Sequence, residues 1–267
     1  MLGITDRTLI TQISATFTAT NTKMPTALTD ALARATRLTE AARTLMPPEG
    51  AIGVAVTAAL DDGRDPSTDA EVQRLLAATA LGSNHNLPDQ IVGAATEEVR
   101  EICRERADQI VGTWSKPFDQ AAAALAKAHD QLGNVALDQP GEILAQGGDA
   151  AKTWVDASTA TKTIDHIAGG WLALGELTRL SSQDPRYRVL RTAAVDPKAW
   201  QELQLERKKL SPWQLVLSGA ALSLPSFGQY AERVRAIESA QARAAAAAEQ
   251  AGHDWATGRQ RRAAVPG

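Results

Sequence analysis

Cysteine is almost absent. The single Cys103 has no second thiol with which to close an internal disulfide, so the fold cannot rest on covalent staples, and a lone thiol fits a reducing cytoplasm. Histidine is sparse too, with four residues, and no Cys/His cluster has the spacing of a structural zinc site. Neither a glycine-rich phosphate loop nor a Gly-x-Ser-x-Gly elbow occurs, which removes the usual nucleotide-cradling and serine-hydrolase signatures. The opening residues Met1 to Arg7 lack the basic region and apolar run of a secretory signal, so export is not expected.

Net charge is also small. At −3 it gives no overall attraction to nucleic-acid phosphate or anionic lipid, and such binding would need a local basic patch. Only Arg259, Arg261 and Arg262 near the C-terminus offer one. No fixed-period repeat is present, and the six tryptophans fall at unequal intervals. The longest stretch without charge, Leu210 to Ala231, is broken by Pro212, Gln214, Pro225 and Gln229. Its densest part, Trp213 to Leu224, is too short to cross a bilayer. A buried helical hairpin or a partner-binding surface is the expectation there.

What the chain does contain is ordinary globular material. Its 267 residues, 44% hydrophobic and 22% charged, suffice for a sizeable core and exclude wholesale disorder. Abundant Ala, and Arg in preference to Lys, associates the composition with high-GC bacterial or phage coding sequences.

Helix punctuation dominates the pattern. Thr68/Glu71, Ser211/Gln214 and Ser226/Gln229 each place a hydroxyl three residues before an acid or amide, the arrangement of a capping box. Pro117, Pro140, Pro197 and Pro212 stand where a missing N–H suits a first turn. Apolar residues at Leu28, Leu32, Ala35, Leu38, Ala42 and Leu45 recur at helical spacing, predicting a helix over 25–46. Ala51 to Leu60 reads as a buried apolar helix stopped by Asp61-Asp62-Gly63, and another helix is expected over 69–81.

Residues 1–24, rich in β-branched Thr, predict an arm or short helix. The stretch 88–132 predicts two successive helices divided at Pro117. A short helix is expected over 140–146, and a largely buried one from Asp149 towards Leu180, its Gly169-Gly170 pair marking close packing. Asp196 and Ser211 each cap a further helix. The last helix, about Phe227 to Ala251, carries Phe227, Tyr230, Val234, Ile237, Gln241, Ala244 and Ala248 along a coiled-coil-like seam, with a mobile basic tail after it.

The fold class is therefore expected to be all-α. It is read as a multi-helix bundle with a long C-terminal helix and a short basic tail, organised as an arm over 1–24, a helical domain over 25–251 and a tail over 252–267.

Catalytic candidates are few. His85, the adjacent pair His129-Asp130 and Asp165 occur in an order that resembles the HD metal-dependent phosphohydrolases. That resemblance implies an all-α fold, a divalent metal held by those four residues, and a metal-activated water. Here the pair continues as Gln131-Leu132-Gly133, unlike the family's short Gly-containing turn. The competing reading places His129 on an apolar stripe with Leu125 and Leu132, as a partly buried histidine. Asp165-His166 diverge by ~100° on a helix and read as a polar edge. Asp61, Asp62 and Asp65 read as a solvated acidic turn, lacking the spaced ligands of an EF-hand.

The function expected is that of a non-enzymatic helical interaction or assembly protein, possible as a phage or prophage structural or scaffold-like component. It would be cytoplasmic, with no cofactor and no membrane span, and would bind a protein partner or itself through Phe227, Tyr230, Val234, Ile237 and Trp213. Alternatives are the HD-type hydrolase, and a small nucleic-acid-binding regulator that contacts phosphate or an acidic surface through Arg259, Arg261 and Arg262.

Overall fold

The computed structural model describes residues 4–44, 47–83, 87–145, 147–181, 184–205 and 210–263, with side chains at the C-terminal end described as far as Gln250. The protein is all-α, and strand among the described residues is confined to two dipeptides. No described helix is long and apolar enough to cross a membrane. Packing divides the chain into two compact units, Met1–Ile110 with Leu172–Leu180 and Val111–Trp171 with Ser181–Gly267.

The first unit contains α1 (Ile4–Ala19), α2 (Thr26–Thr44), α3 (Ala51–Asp61), α4 (Ala70–Ser83) and α5 (Leu87–Glu105). Threonine-rich α1 is a full helix rather than an arm. Thr11, Thr16 and Thr20 donate their hydroxyls to the carbonyls of Arg7, Gln12 and Thr16 at 2.8, 2.9 and 2.7 Å. Those bonds are compatible with the helical backbone, while Ile13 and Phe17 are buried. Helix α2 packs along α5, burying Leu28, Ala31 and Ala42 on one side and Val92, Ala95, Val99 and Cys103 on the other.

The cap of α4 differs from expectation. Asp69, not Thr68, accepts from the backbone N–H groups of Glu71 and Val72 at 3.0 and 3.1 Å, and Thr68 donates instead to the carbonyl of Asp65 at 3.2 Å. Asp69 is one residue closer to the helix and, as a carboxylate, also favours the positive helix end.

Helix α6 (Ala107–Leu132) runs through Pro117 without a break, so the division expected at the proline lies instead at Arg106, between α5 and α6. Proline there forfeits one ladder bond. Complete burial of Trp114, Phe118 and Leu125 on either side holds the helix together across it.

The second unit contains α6 from Val111 onward, α7 (Pro140–Ala145), α8 (Ala150–Thr178) up to Trp171, a 3-10 turn (Pro185–Arg191), β1 (Ala193–Ala194), α9 (Pro197–Leu205), α10 (Pro212–Leu217), β2 (Ala221–Leu222) and α11 (Phe227–Ala263). Asp196 caps α9 through the N–H groups of Lys198 and Ala199 at 2.9 and 2.8 Å. The capping boxes of Ser211/Gln214 and Ser226/Gln229 both form.

The charge-free stretch is not a helical hairpin. Six-residue α10 ends at Leu217, and the chain turns at Gly219, whose φ of 77° suits glycine. The chain then pairs β2 antiparallel to β1, Ala193 opposite Leu222 and Ala194 opposite Ala221. From this stretch Leu215 joins Ala193 and Leu203 in a small core, flanked by Val189, Val195 and Leu222.

Candidate functional site

The residues expected to bind a partner through α11 are occupied within their own unit. The Trp171 ring lies 4.6 Å from that of Phe227 and 5.0 Å, edge-on, from that of Tyr230. Its indole N–H donates to the carbonyl of Pro225 at 2.9 Å. Ile237 is buried and Val234 half-buried. Trp213 is buried too, donating to the carbonyl of Val135 at 2.9 Å. Aromatic burial of this kind is worth several kcal/mol to a fold, so Phe227, Tyr230 and Ile237 form the seat of α11 within its unit, while Trp213 is buried on α10.

Arg233 completes that seat. Its guanidinium donates to the carbonyls of Leu190, Ala193 and Ser223 at 3.0, 3.1 and 3.4 Å and to the Ser223 hydroxyl at 2.7 Å. Burial lowers its pKa. One helical turn on, Glu238 accepts from the Tyr187 hydroxyl at 3.0 Å.

Beyond this seat α11 changes character. Every residue from Ala242 to Gln250 is exposed, so the Ala244 and Ala248 positions of the seam are not buried. The helical backbone continues past Ala251 to Ala263. Arg259, Arg261 and Arg262 fall in that last stretch, and their side chains lie outside the described residues.

The HD-like set is not assembled among the described residues, where no three His, Cys, Asp or Glu side chains group as metal ligands would. His85 lies outside the described residues. His129 is half-buried, its Nε2 3.3 Å from Asn134 Oδ1 and its ring edge-on to Trp213 at 6.2 Å. Adjacent Asp130 is exposed, as are Asp165 and His166 on α8. The Nδ1–H of His166 donates to the carbonyl of Lys162 at 2.8 Å.

The remaining polar candidates are structural. Arg64 ion-pairs with Asp62 at 2.9 Å and with Asp69, tying the acidic turn to the α4 cap. Asp65 is held below the usual carboxylate range by the backbone N–H and hydroxyl of Ser67. Burial pushes the Cys103 thiol up to about 12, far from a reactive thiolate. Gly170 is buried inside unbroken α8.

Two features of the first unit were not singled out from sequence as sites. The first is α3, whose residues from Ala51 to Leu60 carry no charge and of which Ala59 alone is fully buried. Val54 is 72% and Leu60 61% exposed, and Leu76 and Leu81 on α4 are also open to solvent. The sequence signal was present, but an apolar run of this length was read as core.

The second is a groove of about 480 Å³ between α1, α2 and α5, lined by Ile10, Leu32, Ala35 and Val99, with Arg7 and Arg43 also on its wall. Its signal was the width of the α2 stripe: Leu28 and Ala42 are buried, whereas Leu32, Ala35 and Leu38 are only half-buried. Reading 1–24 as an arm left no second wall for the groove.

Compared with protein-family models, curated proteins and solved structures, the chain matches none.

Proposed function

We propose that this is a non-enzymatic helical assembly protein that buries α3 and the adjoining face of α4 against a second copy of itself. The observation that carries this reading is a mismatch at α3. Over Ala51 to Leu60 the helix carries no charge and little polarity, the make-up of a core element, yet only Ala59 is fully buried, Ile52, Ala55 and Val56 are half-buried, and Val54 and Leu60 lie largely in water. Fully covering one such side chain is worth about 1.5–3 kcal/mol; the two lie about 120° apart around the helix, so a partner that covers both wraps α3 rather than meeting a single face. Every residue of α11 from Ala242 to Gln250 is exposed as well.

Size-exclusion chromatography with light scattering tests this on the full chain and on a Val54→Asp/Leu60→Asp variant. The expected result is a dimer or larger species for the wild type and a monomer for the variant, with equal helical circular dichroism. A wild type that remains monomeric as concentration rises, or a variant that associates equally, counts against the reading.

A further inference from the structure

The groove between α1, α2 and α5 has a shape and a charge that select one kind of occupant. Along α2 its lining runs from Leu32 to Arg43, roughly 16 Å at ~1.5 Å per residue. Divided by that length, the groove's volume of about 480 Å³ leaves a mean cross-section of roughly 30 Å², enough for one extended chain to lie along it.

The wall asks little of such a chain. Thr11, Thr36 and Thr96 donate their hydroxyls to carbonyls of their own helices at 2.8, 2.9 and 2.7 Å. Those three donors are thus already used, Ser14 and Thr39 add two further hydroxyls, and Ile10, Leu32, Ala35 and Val99 supply apolar surface, the usual character of a small-ligand site.

Charge is concentrated at one end. The short connection between α1 and α2 makes them antiparallel neighbours, which brings Arg7, early in α1, to the same end as Arg43, late in α2. Arg43 pairs with Glu40 at 3.3 Å. Arg7 has no ion-pair partner among the described residues, so one guanidinium charge stands uncompensated at the mouth.

We propose that this groove binds a monoanionic amphiphile, an unbranched acyl chain ending in a carboxylate. The chain lies on Ile10, Leu32, Ala35 and Val99, and the head group meets Arg7. This site is separate from the α3 surface and does not depend on assembly.

Isothermal titration of the full chain with dodecanoate, kept below its micelle concentration, tests the proposal, with dodecyltrimethylammonium as a comparator of the same chain and opposite charge. Saturable binding of dodecanoate is expected, weakened about tenfold or more by Arg7→Glu because the substitution reverses a charge near the head group. Ala35→Trp, which fills the floor, should abolish it, and the cationic comparator should bind more weakly. Arg7 is exposed, so Arg7→Glu retains the fold and decides the matter even if circular dichroism shows Ala35→Trp to be unfolded. Failure to saturate, equal affinity of the Arg7→Glu variant, or equal binding of the cation overturns the proposal. Val54→Asp/Leu60→Asp should leave the titration unchanged, which separates this site from adventitious binding to α3.

Discussion

Arg233 donates to the hydroxyl of Ser223 at 2.7 Å, joining the first turns of α11 to the segment that leads into it. The same guanidinium serves three backbone carbonyls, of Leu190, Ala193 and Ser223. Removing it deprives those acceptors of a donor, a loss of about 1–3 kcal/mol. Arg233→Met should therefore lower the urea midpoint by an amount in that range, with Arg233→Lys recovering part of it. A change below about 0.5 kcal/mol, the ordinary scatter of surface substitutions, would show that the clamp is dispensable.

Pro117 sits inside an unbroken helix. An interior proline costs about 3 kcal/mol where neighbours cannot compensate, and here Trp114 and Phe118 hold the helix by burial. Pro117→Ala restores the missing N–H in a conformation alanine accepts, so thermal unfolding should move upward by the equivalent of about 1–3 kcal/mol. An unchanged or lower melting temperature would mean that the proline ring itself packs to advantage.

Helix α4 distinguishes two caps one residue apart. Asp69→Ala removes both backbone acceptor contacts and the Arg64 ion pair and should cost about 1–2 kcal/mol. Thr68→Ala removes only a hydroxyl bonded to a turn carbonyl and should cost far less. Comparable losses in chemical denaturation would contradict the placement of the cap.

Cys103 ties stability to alkaline pH. Burial raises its folded pKa to about 12, above the unfolded value of about 8.5. Above that unfolded value the unfolded chain releases a proton that the folded chain keeps, so stability falls as pH rises, by about 1.4 kcal/mol per unit until the folded pKa is reached. Below it the contribution is fully present. Denaturation between pH 8 and 10 should show this extra slope in the wild type and not in Cys103→Ala, and a thiol reagent should label the native protein slowly and the unfolded chain at once. Rapid labelling of the native thiol would refute its burial.

The helical fold was readable because its signals are local. Hydroxyl and amide three residues apart at Ser211/Gln214 and Ser226/Gln229 define a helix start without tertiary context, and both boxes form. Where packing outweighs propensity, reading failed. Pro117 signals a break, but buried Trp114 and Phe118 decide the outcome. Threonines in α1 signal weak helix, but their hydroxyls bond within it and Ile13 and Phe17 anchor it. For α11 the coiled-coil-like spacing runs from Phe227 to Ala248, but Phe227, Tyr230 and Ile237 are buried while Ala244 and Ala248 are exposed, and Trp171, which packs on the first two, is remote in sequence and belongs to the same unit. The groove was invisible for a related reason, since it requires three helices to be placed together.

The two halves of α11 draw their order from different sources. From Phe227 to Ile237 the helix is held by buried rings and the Arg233 clamp. From Ala242 to Gln250 every residue is exposed, and alanine's intrinsic preference for the helix is its main support. Warming should therefore peel the outer turns away gradually while the inner turns persist until their unit melts as a whole. Backbone amides should record the same boundary, with slow deuterium uptake before Ile237 and rapid uptake after Ala242, so that one continuous helix behaves as two thermodynamic objects.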